Sequence, residues 1–167
     1  SDFAYDYHNT VSTCEGDTLY LWHNYYLKEG MGYCFQTYCA ATQNGKGVEV
    51  VLPEEIRDGR ARGMDVLNGQ VHVIYESPTG ELWVLASADN GKNWNHLKLE
   101  AADEAQSTEY PVYDFYVDGK GYFYVFSGTG QTEDFLLVYD GEGKKLFAQI
   151  LSEEPGALKT TAFHTPD

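Results

Sequence analysis

The stretch Asn68-Gly69-Gln70-Val71-His72-Val73-Ile74-Tyr75 joins a tight turn to a strand, and it decides the fold expected of the chain. Asn-Gly supplies the positive φ angles that a two-residue hairpin turn requires. The following residues are mostly β-branched or aromatic, with Val71, Val73 and Tyr75 on one face of a strand and Ile74 on the other. A sheet that is apolar on both faces must be packed between other sheets.

The same combination of turn and strand occurs three times. Equivalent turns precede Leu19–Trp22 and Tyr122–Phe126, so Gly16, Gly69 and Gly119 lie 53 and 50 residues apart. A second series of turns contains Gly45, Gly91 and Gly143, which lie 46 and 52 residues apart. Two series of turns that share one period indicate an internal repeat.

This repeat predicts an all-β fold: a β-propeller-like array of about three four-stranded antiparallel blades, forming an incomplete or partial propeller. The 167 residues suit one domain, with blades at about 11–53, 63–100 and 112–152. The segments between the blades, Pro53–Arg62 and Glu100–Pro111, are expected to be loops with at most a turn of helix.

Three blades do not close a circle, and an open edge exposes unpaired strands and an apolar face. Three arrangements would cover it. A homodimer could complete a six-bladed ring, further blades could come from a longer chain, or the terminal segments Phe3–Tyr7 and Leu158–Phe163 could lie across the gap.

Charge and composition exclude several partners. The 26 acidic residues against 11 basic ones give a net charge of −15, which repels nucleic-acid phosphates and anionic lipid headgroups. No apolar stretch approaches the ~20 residues that would cross a bilayer, so no membrane insertion is expected. The five histidines have no paired spacing typical of ligands, and neither a metal nor a cofactor is expected.

The cysteines number three and have no Cys-x-x-Cys spacing, which argues against a metal knuckle. Cys14, Cys34 and Cys39 are expected to be small buried hydrophobic residues. The alternative is one disulfide from Cys14 to Cys34 or Cys39, which would indicate an oxidising compartment.

The segment Ser87-Ala88-Asp89-Asn90-Gly91-Lys92-Asn93-Trp94 resembles the Asp box, S-x-D-x-G-x-x-W, at every defined position. The box belongs to the BNR-repeat propellers that include sialidases and sortilin-type receptors. The resemblance implies a blade hairpin and structural roles for its residues. Asp89 would accept hydrogen bonds from turn amides, Ser87 would add a hydroxyl bond, Gly91 would take a positive φ and Trp94 would be an apolar plug.

The other blades carry degraded copies of this box. Asp89 aligns with Gln43 and Gly141, while Trp94 aligns with Val48 and Leu146. The glycine, the following lysine and an apolar plug are therefore expected to persist without the acidic residue.

Autonomous sialidase activity is not expected. The family binds its substrate's carboxylate with three arginines delivered from different blades, whereas Arg57, Arg60 and Arg62 lie within one loop. Asp65 and Asp114, 49 residues apart on the first strands of successive blades, are the most interesting pair of carboxylates for a glycosidase. Their alternative role is to cap a strand end or bond a loop amide. No catalytic residue is assigned.

Ligand binding has more support, because flat aromatic rings stack on sugars and on apolar peptide side chains. The expected ligand-binding residues are Trp22, Tyr25, Tyr26, Tyr33, Arg57 and Arg60. An alternative role for Trp22 is to fill the space between blades, since it shares a strand face with Tyr20.

The sequence therefore predicts a non-catalytic module on an extracellular or cell surface that binds carbohydrate or protein. The alternative is a fragment of a glycoside hydrolase or lyase whose active site needs further blades.

Overall fold

The computed structural model describes residues 5–27, 34–40, 47–102, 112–128 and 134–152. These residues form twelve strands and no helix: β1 (Tyr5–Glu15), β2 (Thr18–Leu27), β3 (Cys34–Ala40), β4 (Val48–Val50), β5 (Arg60–Leu67), β6 (Gln70–Glu76), β7 (Leu82–Ser87), β8 (Asn95–Lys98), β9 (Val112–Val117), β10 (Phe123–Ser127), β11 (Asp134–Tyr139) and β12 (Lys145–Ser152).

The strands form three four-stranded sheets in which each strand pairs antiparallel with the adjacent strands of its sheet. Sheet 1 contains β1–β4, sheet 2 contains β5–β8 and sheet 3 contains β9–β12. The first strands contact one another in succession, β1 with β5 and β5 with β9. The predicted all-β, propeller-like array of three blades is therefore confirmed.

The tight turns explain the regular register. Asn68 and Gly69 have φ angles of 52° and 75°, and Leu67 pairs with Gln70 across them. In sheet 1, Glu15 pairs with Thr18, and this pair lies 52 residues before the pair of Leu67 and Gln70. Alternating side chains then fall on matching faces of the two sheets.

The third of these turns differs from the prediction. Val117 pairs with Phe123, so the connection is a longer loop, and Gly121 rather than Gly119 has the positive φ, 79°. The Asp118 carboxylate accepts hydrogen bonds from the backbone N–H groups of Lys120 and Tyr122 at 2.8 and 3.0 Å. The sequence predicts a two-residue turn here, whereas the structure has a longer loop that the Asp118 side chain caps.

The two ends of the array differ in character. A hydrogen bond of 2.8 Å from Gly69 N to Glu15 Oε2 joins the first hairpins of sheets 1 and 2, and we call this side the hairpin end. The opposite side, where β5 begins at Arg60 and β6 ends at Glu76, is the loop end.

Two hydrophobic clusters lie between the sheets. Trp22 and Tyr38 of sheet 1 pack with Val73 and Tyr75 of sheet 2. On the other face of sheet 2, Ile74 belongs to a second cluster that includes Phe115, Val125 and Leu137 of sheet 3. Because each fully buried large side chain contributes about 1.5–3 kcal/mol, these two interfaces hold the three sheets together.

The connections and the cysteine also bear on the predictions. In the segment before β5, Ile56 N and Arg57 N donate to the Pro53 carbonyl at 3.1 and 2.9 Å, which makes a single helical turn, as predicted. The predicted loop ends earlier than expected, because Arg60 and Arg62 already belong to β5. Cys14 is exposed and free, so the prediction of a buried thiol there is wrong and its disulfide alternative is not realised.

Parts of two predictions lie outside the described side chains. Cys34 and Cys39 belong to β3, but their side chains are among those left undescribed, as are Phe3 and Leu158–Phe163 in full.

Candidate functional site

The Ser87–Trp94 turn joins β7 to β8 and satisfies its own polar groups. Ser87 Oγ donates to Asp89 Oδ1 at 2.9 Å and accepts from Gly91 N at 2.9 Å. Asp89 Oδ1 also accepts from the backbone N–H groups of Lys92 and Asn93 at 3.1 and 2.9 Å. These bonds use the donors that a tight turn would otherwise leave without partners.

Ionisation of Asp89 follows from these contacts. The Asn93 side chain donates to Asp89 Oδ2 at 2.6 Å. This bond and the one from the Asn93 backbone N–H, together with those from Ser87 and Lys92, lower the pKa of Asp89 to about 2. A carboxylate that stays ionised and accepts this many hydrogen bonds suits a structural cap better than a proton donor.

The same turn also attaches sheet 2 to sheet 1. Gly91 has a φ of 80° and lies against the ring of Tyr38, where a Cβ atom would approach Tyr38 Cδ1 to 2.2 Å. Trp94 donates its Nε1 proton to the Gly91 carbonyl at 3.1 Å. Its ring meets Trp22 and Tyr38 edge to face, with centroids 5.1 and 5.3 Å apart.

An acidic cap is present in sheet 3 at a position that the sequence alignment missed. Asp140 Oδ1 accepts from the backbone N–H groups of Glu142 and Lys144 at 3.0 and 2.9 Å. The alignment by glycine had placed Gly141 opposite Asp89. An aspartate one residue earlier, followed by Gly-x-Gly, was the signal that could have found it.

The apolar plug does not recur in the other sheets. Val48 and Leu146, which align with Trp94, are 37% and 47% exposed. The prediction that both fill a core position is therefore wrong. Trp94, by contrast, packs on Trp22 and Tyr38 of the neighbouring sheet.

The six predicted ligand-binding residues are not equivalent. Trp22 has no exposed surface, so its ring fills the space between sheets 1 and 2, and a ligand-facing ring at this position is not realised. Tyr25 and Tyr26 lie near the C-terminal end of β2, but their side chains are outside the described part of the structure. Tyr33 is outside it entirely.

The arginines gather at the loop end around one carboxylate. Arg62 and Arg60 both direct their Nε atoms to Glu76 Oε2, with a distance of 3.4 Å for Arg60. Glu76 and Arg62 are mostly buried, whereas the Arg60 side chain is 40% exposed. Arg57 pairs with Glu54 at 3.6 Å on the surface. Two guanidinium groups therefore share one carboxylate at the loop end.

A buried amide lies between sheets 1 and 2 near this end. Asn24 Oδ1 accepts from Trp22 Nε1 at 2.8 Å and from Ala61 N at 3.4 Å. Its Nδ2 has no hydrogen-bond partner among the described residues, although the side chain is fully buried. In the sequence, the signal for Asn24 is its position among closely spaced aromatic residues.

The chain matches no protein-family model and no curated protein.

The two carboxylates of successive blades do not share a role or a position. Asp65 pairs with His72, whereas Tyr124, 52 residues after His72, pairs with Tyr116. The residue equivalent to Asp65 is therefore Tyr116, and the predicted correspondence with Asp114 is wrong by two residues. The loop after β9 is one residue longer than the turn after β5, so equivalent positions lie 51 residues apart on the first strands and 52 on the second strands.

Asp65 is used by the backbone. Its carboxylate is buried and accepts from Val66 N at 2.8 Å and from Val117 N of sheet 3 at 2.7 Å. Asp114 is half-buried and accepts from Phe115 N at 2.8 Å. Both carboxylates thus bond backbone amides, the alternative that the sequence left open.

Metal ligation finds no support among the described side chains, because none of their His, Cys, Asp and Glu residues gather in threes around a common point. Nor does the described part of the chain contain a helix with the length and apolar character to span a membrane.

Proposed function

We propose that this chain is a non-catalytic binding module of the Asp-box propeller kind, which takes a carbohydrate or protein partner at its loop end. The observation that carries the proposal is the group formed by Arg60, Arg62 and Glu76. It offers guanidinium N–H donors in a fixed geometry, and such donors suit hydroxyl, carbonyl and carboxylate acceptors.

The last residues of β2 bring aromatic residues to the same end. β2 ends at Leu27 and β3 begins at Cys34, and Tyr26 pairs with Cys34. Tyr25 and Tyr26 therefore lie at the loop end of sheet 1 in the backbone register. Aromatic rings beside polar donors are the usual composition of a sugar or peptide site.

The described carboxylates support binding rather than catalysis. Asp65 and Asp89 each accept several hydrogen bonds that hold the fold, which leaves neither as a poised acid or nucleophile. The alternative of a hydrolase or lyase fragment would therefore need its acidic pair from elsewhere. An extracellular location is part of the proposal and rests on the resemblance of the Ser87–Trp94 segment alone.

A printed array of microbial, plant and animal glycans, probed with the whole chain, tests the proposal. We expect binding that Arg60→Ala and Tyr26→Ala each weaken at least tenfold, because the two changes remove a donor and a ring from the loop end. Lys92→Ala is the matched control, since it removes one exposed positive charge from the Ser87–Trp94 turn instead.

Two results would contradict the proposal. Binding that Lys92→Ala weakens as much as Arg60→Ala would mean that charge alone is responsible. Silence on the array together with turnover of chromogenic glycosides would favour the enzyme alternative.

A further inference from the structure

The face of sheet 2 that packs against sheet 3 can be compared with the equivalent face of sheet 3, which is turned away from sheet 2. On sheet 2, Ile74 and Val84 are paired neighbours on the face that packs against Phe115 and Val125 of sheet 3. Both are fully buried there. This face of sheet 2 is therefore a surface that only another sheet can cover.

The corresponding face of sheet 3 carries the same kind of side chains. Val71 pairs with Ser87 in sheet 2, and Phe123 pairs with Tyr139 in sheet 3, so equivalent residues lie 52 positions apart. Ile74 and Val84 thus correspond to Phe126 and Leu136, which also pair with each other. We define the open face as Tyr116, Tyr124, Phe126, Leu136, Val138 and Phe147, with the polar residues Asp114 and Gln149 at its loop end, where they pair with Phe126 and Leu136.

The open face is aromatic and partly exposed. Tyr116 and Tyr124 contact each other with centroids 5.8 Å apart, and Phe126 contacts Tyr113 at 6.4 Å. Tyr124, Phe126 and Leu136 are only partly buried, in contrast to their counterparts in sheet 2, whereas Val138, which pairs with Tyr124, is buried. Phe147 is 48% exposed. A contiguous apolar surface of this kind marks an interaction site.

The far face of sheet 1 is different, which bears on closure into a ring. Its described positions include Thr10, Ser12 and His23, and Thr10 Oγ1 and His23 Nδ1 share a hydrogen bond of 2.7 Å. Leu19 and Leu21 are apolar members of it among the described side chains. A six-bladed ring of two chains would pack the polar positions of this face on the aromatic open face, whereas a two-fold dimer packs one aromatic face on another.

We propose that the open face of sheet 3 binds the open face of a second copy of this chain in a two-fold symmetric dimer. A two-fold axis pairs a surface with itself, so the aromatic patch meets an equally aromatic partner. This dimer continues the sheet-on-sheet packing already present between sheets 2 and 3. It is independent of the ligand taken at the loop end.

Charge supports an antiparallel arrangement of the two sheets. Asp114 lies toward the loop end of sheet 3, whereas Lys120 is exposed in the turn at its hairpin end. Antiparallel packing brings Lys120 of each copy toward Asp114 of the other. Asp118, the acidic neighbour of Lys120, accepts two backbone hydrogen bonds within its own turn, and Asp114 accepts one from Phe115 N.

The size of the open face predicts a weak dimer. Four strands about 4.8 Å apart and about six residues long at about 3.3 Å each cover roughly 400 Å². A stable complex buries about 800 Å² on each partner. A dissociation constant in the micromolar range is therefore expected, and the dimer should form at about 100 μM but not at about 1 μM.

Sedimentation velocity of the whole chain between 1 and 500 μM in 150 mM salt tests the dimer. Phe147→Glu should weaken association at least tenfold. Ile150→Glu is its matched control, because Ile150 lies on the same strand with a similar exposure, 45%, but on the opposite face. Lys120→Glu should weaken association several-fold, and Lys92→Glu, with the same change in charge, should not.

Three outcomes would overturn the proposal. The first is a wild-type chain that stays monomeric at 500 μM. The second is equal loss of association in Phe147→Glu and Ile150→Glu, with circular dichroism showing both folded. The third is loss of the dimer in Leu21→Glu, which would place the far face of sheet 1 in the interface and favour the closed ring.

Discussion

The carboxylate of Asp65 accepts a hydrogen bond from the backbone N–H of Val117 at 2.7 Å, across the boundary between sheets 2 and 3. Its other oxygen accepts from Val66 N at 2.8 Å. Because the Asp65 side chain is buried, water competes little for these two hydrogen bonds. One aspartate therefore aligns the first strand of sheet 2 with the first strand of sheet 3.

Asp65→Ala should lower the free energy of unfolding by about 2–3 kcal/mol, because it leaves a buried backbone N–H without an acceptor. Asp114→Ala is the control, since Asp114 is half-buried, and its loss should be under about 1 kcal/mol. Urea unfolding followed by tryptophan fluorescence measures both. Equal losses would mean that the contact between sheets contributes nothing.

Gly91→Ala should destabilise the chain by at least about 2 kcal/mol more than Gly69→Ala. Both glycines have positive φ angles, 80° and 75°, so both variants carry the left-handed strain of about 1–2 kcal/mol. At Gly91 the new Cβ also meets the Tyr38 ring, whereas nothing lies within 4 Å at Gly69. Thermal unfolding of the two variants in parallel isolates the clash, and similar melting temperatures would refute it.

Trp94→Ala should cost about 3 kcal/mol, because its ring packs on Trp22 and Tyr38 between sheets 1 and 2. Leu146→Ala, at the aligned position of sheet 3, should change stability by less than about 0.5 kcal/mol. Chemical unfolding curves for both variants provide the comparison. A large loss for Leu146→Ala would show that this exposed residue is also a plug.

The Ser87–Trp94 turn should weaken in acid. The folded pKa of Asp89, about 2, lies below that of an unfolded aspartate, so its contribution is present above the unfolded pKa and is lost as the pH falls toward 2. Asp89→Asn should therefore lower the melting temperature at pH 6, and the difference from wild type should shrink between pH 5 and pH 2. A difference that does not change with pH would contradict the role of the charge.

His72 should contribute a separate dependence on pH. Burial lowers its pKa, and its ring contacts Phe123 between sheets 2 and 3. The unfolded chain then binds the proton more readily, so stability falls as the pH drops below the ordinary histidine value of about 6.5. His72→Phe should reduce the loss of melting temperature between pH 7.5 and pH 5.5. An unchanged profile would assign that loss to other groups.

Local chemistry predicted most of the fold. Asn68-Gly69 set a hairpin, and the alternation around Ile74 showed that both faces of sheet 2 are buried. What could not be predicted depends on partners distant in the chain. The acceptor role of Asp65 needs a backbone N–H at Val117, and a backbone group leaves no trace in the residue type.

The candidate site was predicted less well than the fold. Trp22 and Tyr20 share a strand face, yet only the packing of sheet 2 determines that this face is inside. Arg60 and Arg62 were recognised as a cluster, but their shared partner Glu76 depends on the register of β5 with β6, which includes a bulge. Spacing alone does not reveal such a shift.

Sheet 2 is the only one of the three described sheets whose two faces both pack against a neighbouring sheet. In such a linear array each unit is stabilised by its neighbours, and the terminal units open first. The amide protons of β6 should consequently outlast all others in deuterated solvent, while those of β12 and the far edge of sheet 1 are replaced early. The protein would then lose its order from the outside inward rather than in one step.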